Sequence, residues 1–203
     1  MSNQIKNIVF DLGGVLVGLD EGRCIQAFDQ LGCQQVSHYV NQRLAQGLFH
    51  DLEIGNISTR QFCDEVRRMT ESNVSDNDIM KTWNLMLVSM PDYKKEKLME
   101  LRGKYRLFLL SNTNDIHWQF CMNELFPYQG GTIADCFEQV FLSYQMHLAK
   151  PDVEIFKEVL RLAELNPDET LFVDDSPVNI ESAEQAGMHG LLNRHLDDWI
   201  SEL

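Results

Sequence analysis

Apolar positions along this chain recur with two different periods. Short continuous runs occur at Ile8-Val9-Phe10, Leu107-Phe108-Leu109-Leu110, Val140-Phe141-Leu142 and Leu171-Phe172-Val173. They are rich in β-branched and aromatic side chains, too short for helices, and predict strands that are buried on both faces. Between them the spacing turns helical, over Lys94 to Leu101, after Asn114, over Pro151 to Leu162 with proline in the first turn, and over Pro177 to Ala186 with Gly187 closing the helix. Alternation of this kind predicts a parallel sheet with helices on both faces.

One long interruption breaks the alternation. From Asp20 to Ser89 the apolar residues Cys24, Ile25, Phe28 and Leu31, then Phe62, Val66 and Met69, recur at helical spacing with no strand-like run between them. This predicts an all-helical insert of roughly 70 residues, the size of a small independent unit. Ser58 with Gln61 three positions later reads as a capping box, and Ser75 or Asp76 is placed to cap the helix that carries Trp83 and Leu87.

The polar residues of interest stand where the predicted strands end. Asp11 follows the first strand and is succeeded by Leu12-Gly13-Gly14-Val15. Ser111-Asn112-Thr113-Asn114 follows the second, Lys150 lies shortly past the third, and Asp174-Asp175 follows the fourth. Open parallel sheets bind ligands beyond the carboxyl ends of their strands, so the fold brings these four groups to one edge. Carboxylates at the mouth of buried strands are costly unless a cation meets them, and two such acidic sites predict a shared divalent-metal centre. A carboxylate nucleophile, hydroxyl and amide donors, a fixed cation and acidic metal ligands form the set that phosphoryl transfer uses.

Composition narrows the partners. The 203 residues are 44% hydrophobic, enough for a sizeable core, and carry a formal net charge of −14. No Lys/Arg cluster interrupts the acidic background, which argues against nucleic acid and anionic membranes as partners. The cysteines Cys24, Cys33, Cys63, Cys121 and Cys136 are odd in number and scattered, as expected of reduced thiols in a cytoplasmic protein rather than of a disulfide framework or a zinc site. No leader sequence is expected, and no apolar run approaches the roughly 18 residues of a membrane helix.

Four motifs in this order, Phe10-Asp11-Leu12-Gly13-Gly14-Val15, Leu110-Ser111-Asn112-Thr113, Lys150-Pro151-Asp152 and Val173-Asp174-Asp175-Ser176-Pro177-Val178-Asn179, resemble those of the haloacid dehalogenase (HAD) superfamily, most of whose members are Mg²⁺-dependent phosphatases. The resemblance spans the whole chain. It implies an α/β, three-layer Rossmannoid core formed by residues 1–18 and 90–203, and a helical C1 cap of the four-helix-bundle kind over residues 19–89. Asp11 is then the nucleophile that forms an aspartyl phosphate. Ser111 and Asn112 donate to phosphate oxygens, and Lys150 neutralises the transferring group while pairing with Asp174. Mg²⁺ is held by Asp11, the Gly13 carbonyl and Asp175, with Asn179 bracing the site. The implied partner is a small phosphorylated metabolite bound by a monomer or homodimer.

One position departs from the pattern. Most phosphatases of the superfamily have a second Asp where this chain has Gly13, and that Asp carries the proton to the leaving group; such help is worth about 10²–10⁴ in rate. Asp20, in the same loop, is the candidate substitute or a cap contact. Similar Asp-Leu-Gly-Gly motifs occur in a branch resembling sugar-phosphate phosphatases, which makes phosphomonoester hydrolysis the leading reading. The alternatives are a 2-haloacid dehalogenase, against which Asp174-Asp175 speaks, and a protein that binds phosphorylated ligands without turnover. Asp20, Arg23, His50 and Trp83 are candidates for contacting substrate from the cap. The run Gly47-Leu48-Phe49-His50-Asp51-Leu52-Glu53-Ile54-Gly55 reads either as a loop reaching the site or as an aromatic anchor of the helical core. Phe62, Met86 and Met90 are assigned to packing.

Overall fold

The computed structural model describes residues 4–41, 47–195 and 197–203; the part of the expected helical insert at 42–46 lies outside the described residues. Strand β1 (Asn7–Phe10) is followed by helices α1 (Glu21–Gln30), α2 (Gln34–Asn41), α3 (Leu48–Glu53), α4 (Thr59–Thr70), α5 (Asp76–Asn84) and α6 (Asp92–Arg102), and then by β2 (Arg106–Ser111). Next come α7 (Asp115–Phe120) with a π-helical continuation over Cys121–Leu125, and a small hairpin of β3 (Pro127–Tyr128) and β4 (Gly131–Thr132). The remaining elements are β5 (Gln139–Leu142), α8 (Ser143–Met146), α9 (Val153–Leu162), β6 (Thr170–Asp174), α10 (Pro177–Gln185), β7 (His189–Leu192) and α11 (Asp198–Glu202).

The five-stranded sheet has the order β5-β2-β1-β6-β7, and every pairing in it is parallel. Register explains the convergence of the motifs. Phe10 is aligned with Leu109 on one side and Val173 on the other, so Asp11 and Asp174 leave adjacent strands at the same level. Ser111 is aligned with Leu142, which sets the following loops side by side at that edge.

Two apolar layers sandwich the sheet. Ile8, Phe10, Leu107 and Leu109 point to one, with Leu98, Leu101 and Trp199; Val9, Phe108, Leu110 and Phe172 point to the other, with Ile155, Phe156, Val159 and Ala183. The side chains of β1 alternate between the layers, as a strand covered on both faces requires. A third cluster lies in the insert, where Cys24, Phe28, Leu52, Phe62, Val66, Ile79 and Trp83 are buried together with Ile116 of α7. Burying a large apolar side chain contributes about 1.5–3 kcal/mol, so this cluster stabilises the insert and also fastens it to the sheet domain through Ile116.

The insert is entered and left through a paired connector. Gly18 N–H donates to the Ser89 carbonyl (2.9 Å), Val88 N–H to Gly18 (2.9 Å) and Asp20 N–H to Met86 (2.8 Å). These bonds satisfy the backbone at the junction and set the insert over the carboxyl edge of the sheet.

Local signals account for most helix starts. Ser58 and Gln61 form the reciprocal capping box of α4, and Ser75, rather than Asp76, caps α5 by accepting from Asp78 N–H. Two expectations are corrected, and one strand is new. Asp152 is the N-cap of α9 and the helix begins at Val153, so Pro151 precedes it instead of lying in its first turn. Residues 48–53 are a helix rather than a loop, closed by Gly55 in the left-handed region (φ 71°). Strand β7 was not anticipated, because His189-Gly190-Leu191-Leu192 lacks β-branched residues and is only half-buried at the sheet edge.

Candidate active site

Asp11 stands one residue beyond β1, buried, with its N–H donating to the Val173 carbonyl (2.9 Å). Its Oδ1 accepts from the Leu12 N–H (2.7 Å) and lies 2.8 Å from Lys150 Nζ. The same ammonium donates to Asp174 Oδ2 (2.7 Å) and to the Leu110 carbonyl (3.3 Å), so all three of its protons are engaged. Lys150 is held from behind by Asn112, whose Oδ1 accepts from the Lys150 N–H (2.9 Å) and whose Nδ2 donates to the Lys150 carbonyl (2.8 Å). The Asn112 side-chain amide is thus bonded to the lysine backbone through both its oxygen and its nitrogen, and the residue also lines the cavity described below. Ser111 Oγ makes only a 3.5 Å contact with the Asn112 carbonyl, at the limit of a hydrogen bond, and its residue lines the cavity described below.

Asp174 is wholly buried and saturated. Besides Lys150, it accepts from Ser176 N–H (2.8 Å) and from Asn179 Nδ2 at 3.0 and 3.1 Å. Its neighbour Asp175 is exposed and lies against Gly14. Gly14 has φ +76°, and a β-carbon there would overlap the Asp175 carboxylate, so this position requires glycine on two counts.

Carboxylate oxygens of Asp11, Asp174 and Asp175 all lie within 4.8 Å of one another. One ammonium faces three acids, which leaves the cluster short of positive charge. Burial pushes the Asp11 carboxyl up to about 7, against the pull of Lys150 and with help from the negative Asp174. Burial alone would lower Lys150, but the two carboxylates raise it and keep it charged. An all-oxygen, electron-rich cluster with an exposed member is suited to a hard divalent cation such as Mg²⁺, and bound cations reverse this local acid–base balance.

Gly13 opens the site towards the insert. A β-carbon at this position would lie 2.9 Å from Leu19 Cδ1, so the half-exposed Leu19 side chain fills the space a longer residue 13 would need. Beyond Gly13 is a cavity of about 380 Å³, within the range of small-ligand sites. Its lining includes Gly13, Ser111, Thr113, Phe49, Glu53 and Trp83. Trp83 stacks on His117 with ring centroids 4.8 Å apart and 17° between planes. His117 Nε2–H donates to the Trp83 carbonyl (3.2 Å) and Nδ1 faces Asn114 Nδ2 (3.4 Å), which defines a neutral ring; burial pushes it down to about 4. The indole N–H of Trp83 is buried and has no hydrogen-bond partner among the described residues.

The remaining candidates are placed differently. Asp20 is exposed, caps α1 by accepting from Arg23 N–H (3.1 Å), and lines a more open groove with Gly14, Ser89 and Asp175. Arg23 is exposed, and neither it nor His50 is among the residues lining the cavity. Phe49 is at once an aromatic anchor, 4.8 Å from Trp83 and 5.7 Å from Phe62, and a wall of the cavity. Met86, assigned to packing, also lines it, whereas Phe62 and Met90 are buried in the core clusters.

Sequence reasoning missed Ser143 and named Glu53 only within the run 47–55, without a role of its own. Ser143 Oγ accepts from Thr113 N–H (2.9 Å) and donates to the Glu53 carbonyl (2.6 Å), tying the loop after β2 to the end of α3. The available signal was a lone acid between the apolar Leu52 and Ile54, followed by Gly55.

A parallel α/β sheet with a lysine-braced acidic cluster and a small-ligand cavity at its carboxyl edge defines the kind of site that metal-assisted enzymes of small compounds use. A family model described as haloacid dehalogenase-like hydrolase matches residues 5–187. The chain belongs to this haloacid dehalogenase-like hydrolase family. It is 31% identical over 199 residues to a D-ribitol-5-phosphate phosphatase of Bacteroides thetaiotaomicron, covering 98% of this chain and 97% of the relative. Among solved structures, a HAD family enzyme of Bacteroides thetaiotaomicron, in complex with magnesium and inorganic phosphate, superposes with a TM-score of 0.93 at 42% identity, covering 98% and 99% of the two chains. A predicted HAD-like family hydrolase of Porphyromonas gingivalis superposes at 0.90 with 34% identity, covering 98% and 96%.

Proposed function

We propose that this protein is a Mg²⁺-dependent phosphatase of small phosphomonoesters, sugar and polyol phosphates in particular, working through an aspartyl phosphate on Asp11. The observation that carries the reading is the cluster itself: Asp11 at a strand end, Lys150 2.8 Å away, and two further carboxylates within 4.8 Å. The full-length relative that acts on a ribitol phosphate and the structural neighbour that holds magnesium and phosphate support the same chemistry.

Each residue has a role in this reading. The Asp11 carboxylate attacks phosphorus. Lys150, fixed by Asn112, offsets charge on the transferring group and on Asp11. Ser111 donates its hydroxyl to a phosphoryl oxygen. Asp174, held by Asn179 and the Ser176 N–H, fixes the ammonium. Asp11, the Gly13 carbonyl and Asp175 would hold Mg²⁺, which supplies charge stabilisation to the phosphoryl group when bound.

The chain divides into a core of residues 1–18 and 90–203 and a cap of residues 19–89 that covers the leaving group. Five free, buried cysteines support a cytoplasmic setting, and no helix among the described residues is long and apolar enough to cross a membrane.

The test is phosphate release from a panel of phosphorylated metabolites with Mg²⁺ and with a chelator. Release should require Mg²⁺ and vanish in Asp11→Asn; chelator-resistant release, or an active Asp11→Asn variant, would overturn the proposal.

A further inference from the structure

Transfer of a phosphoryl group from an alkyl ester leaves an alkoxide that needs a proton; residue 13 is glycine, with Leu19 beside it, and Asp20 of the same loop caps α1 and lines a separate groove instead of the cavity beyond Gly13. Three titratable side chains line the cavity into which the leaving group must project: Glu21, His117 and Glu53. His117 is committed at both ring nitrogens and stacked against Trp83. Glu21 lies in the first turn of α1.

Glu53 differs from both. It is the last residue of α3, half-buried, and close enough to Lys150 to feel its charge without forming an ion pair with it. Its backbone is fastened to the sheet domain at three successive positions. The Glu53 carbonyl accepts from Ser143 Oγ (2.6 Å), the Ile54 carbonyl meets His147 Nδ1 (2.9 Å), and Gly55 packs so tightly on the Tyr144 carbonyl that a β-carbon would overlap it. Because Ser143 also holds the Thr113 N–H, one hydroxyl sets Glu53 in register with the loop that carries Ser111.

From this geometry, and resting on the phosphatase reading above, we infer that Glu53 is the proton carrier of the reaction, supplied by the insert in place of the nucleophile's own loop. As an Asp11 oxygen bonds to phosphorus, the bond from phosphorus to the ester oxygen breaks, and its electron pair takes the Glu53 proton, so the leaving group departs as an alcohol. In the second half a water oxygen attacks phosphorus while one of its protons passes to the Glu53 carboxylate. The bond from Asp11 to phosphorus then breaks, its electrons return to Asp11, and inorganic phosphate leaves. The surroundings of the carboxyl suit this role, since burial pushes Glu53 up to about 7, with Lys150 opposing the rise, near the value that favours both giving and taking a proton. The other charged or titratable groups around it are His50 and Asp51 on its own helix, His147 below, and Glu21 and His117 across the cavity.

The experiment compares kcat/KM of wild type and Glu53→Gln on two esters in Mg²⁺: p-nitrophenyl phosphate, whose phenolate leaves without a proton, and a polyol phosphate such as ribitol 5-phosphate. Glu53→Gln should lose about 10²-fold or more on the polyol ester and at least about tenfold less than that on the aryl ester. Glu53→Asp, which keeps the carboxyl one methylene further back, should recover part of the loss and serves as the folded reference. Equal losses on the two esters, or no loss on the polyol ester, would overturn the inference. A wild-type protein that releases phosphate from neither ester would instead remove the phosphatase reading on which it rests.

Discussion

At the scale of single residues, the site is held by one buried cation and its partners. Lys150 neutralises Asp174, which has no solvent exposure, so Lys150→Met should abolish turnover and also destabilise the fold by about 3–5 kcal/mol, as stranding one member of a buried pair does. Urea unfolding checks the second part; a stability within about 1 kcal/mol of wild type would contradict this account of Asp174. His117 gives a pH signature. Its ring is held down to about 4 in the folded protein against 6.5 when free, so the unfolded chain binds the extra proton first as pH falls. Its contribution is therefore fully present above pH 6.5 and is lost between 6.5 and 4, amounting to about 2 kcal/mol between pH 7.5 and 5. The difference in unfolding free energy between wild type and His117→Gln should shrink by that amount over this interval; a constant difference would show that the ring is not held neutral by burial. Asp11, Lys150, Asp174 and Asp175 were legible because strand ends can be read from apolar runs. Glu53 was not, because its position depends on how α3 settles on residues 143–147, a contact between segments about 90 residues apart.

At the scale of elements, the loop after β1 is braced by parts of the chain that carry no chemistry. Trp199 of α11 packs edge-on against Phe10 (5.1 Å) and donates its indole N–H to the Val15 carbonyl (3.3 Å), while Lys94 of α6 donates to the same carbonyl (2.5 Å) and Asn193 Nδ2 to Gly14 (3.0 Å). Trp199→Ala should cost about 3–5 kcal/mol by cavity formation and should lower kcat through the unbraced loop, with the thermal midpoint and steady-state rates measured together. Loss of stability with an unchanged kcat would separate the brace from the site. The alternating elements and the helical insert could be read from periodicity because each run is long enough to show its period. β7 and the hairpin of β3 and β4 could not: His189-Gly190-Leu191-Leu192 has no β-branched residue to mark a strand, and two pairs of residues are too few to show a period, so their pairing depends on where β6 and the end of α7 place them. The start of α9 was misread for a different reason, since the Pro151 signal and the Asp152 cap compete over adjacent positions and the cap sets the boundary.

At the scale of the whole molecule, two apolar layers hold the sheet, and a third cluster shared between the helical insert and Ile116 of α7 holds the insert above its carboxyl edge, beside the site. The charge surplus of the acidic cluster ties metal binding to stability. Mg²⁺ at a hundred times its dissociation constant should add about 2.7 kcal/mol to unfolding, and Asp175→Asn should remove most of that gain without lowering the stability of the metal-free protein. A thermal midpoint indifferent to Mg²⁺ would count against the cluster as a metal site. The claim on which the rest depends is covalent: phosphate passes through the Asp11 carboxylate. It is tested most directly by acid-quenching the protein during turnover of a phosphomonoester and locating the adduct by peptide mass spectrometry. The account predicts one phosphoryl group on the peptide carrying Ile8 to Gly14, assigned to Asp11 and absent from Asp11→Asn; an adduct on any other residue, or phosphate release from Asp11→Asn at the wild-type rate, would contradict it.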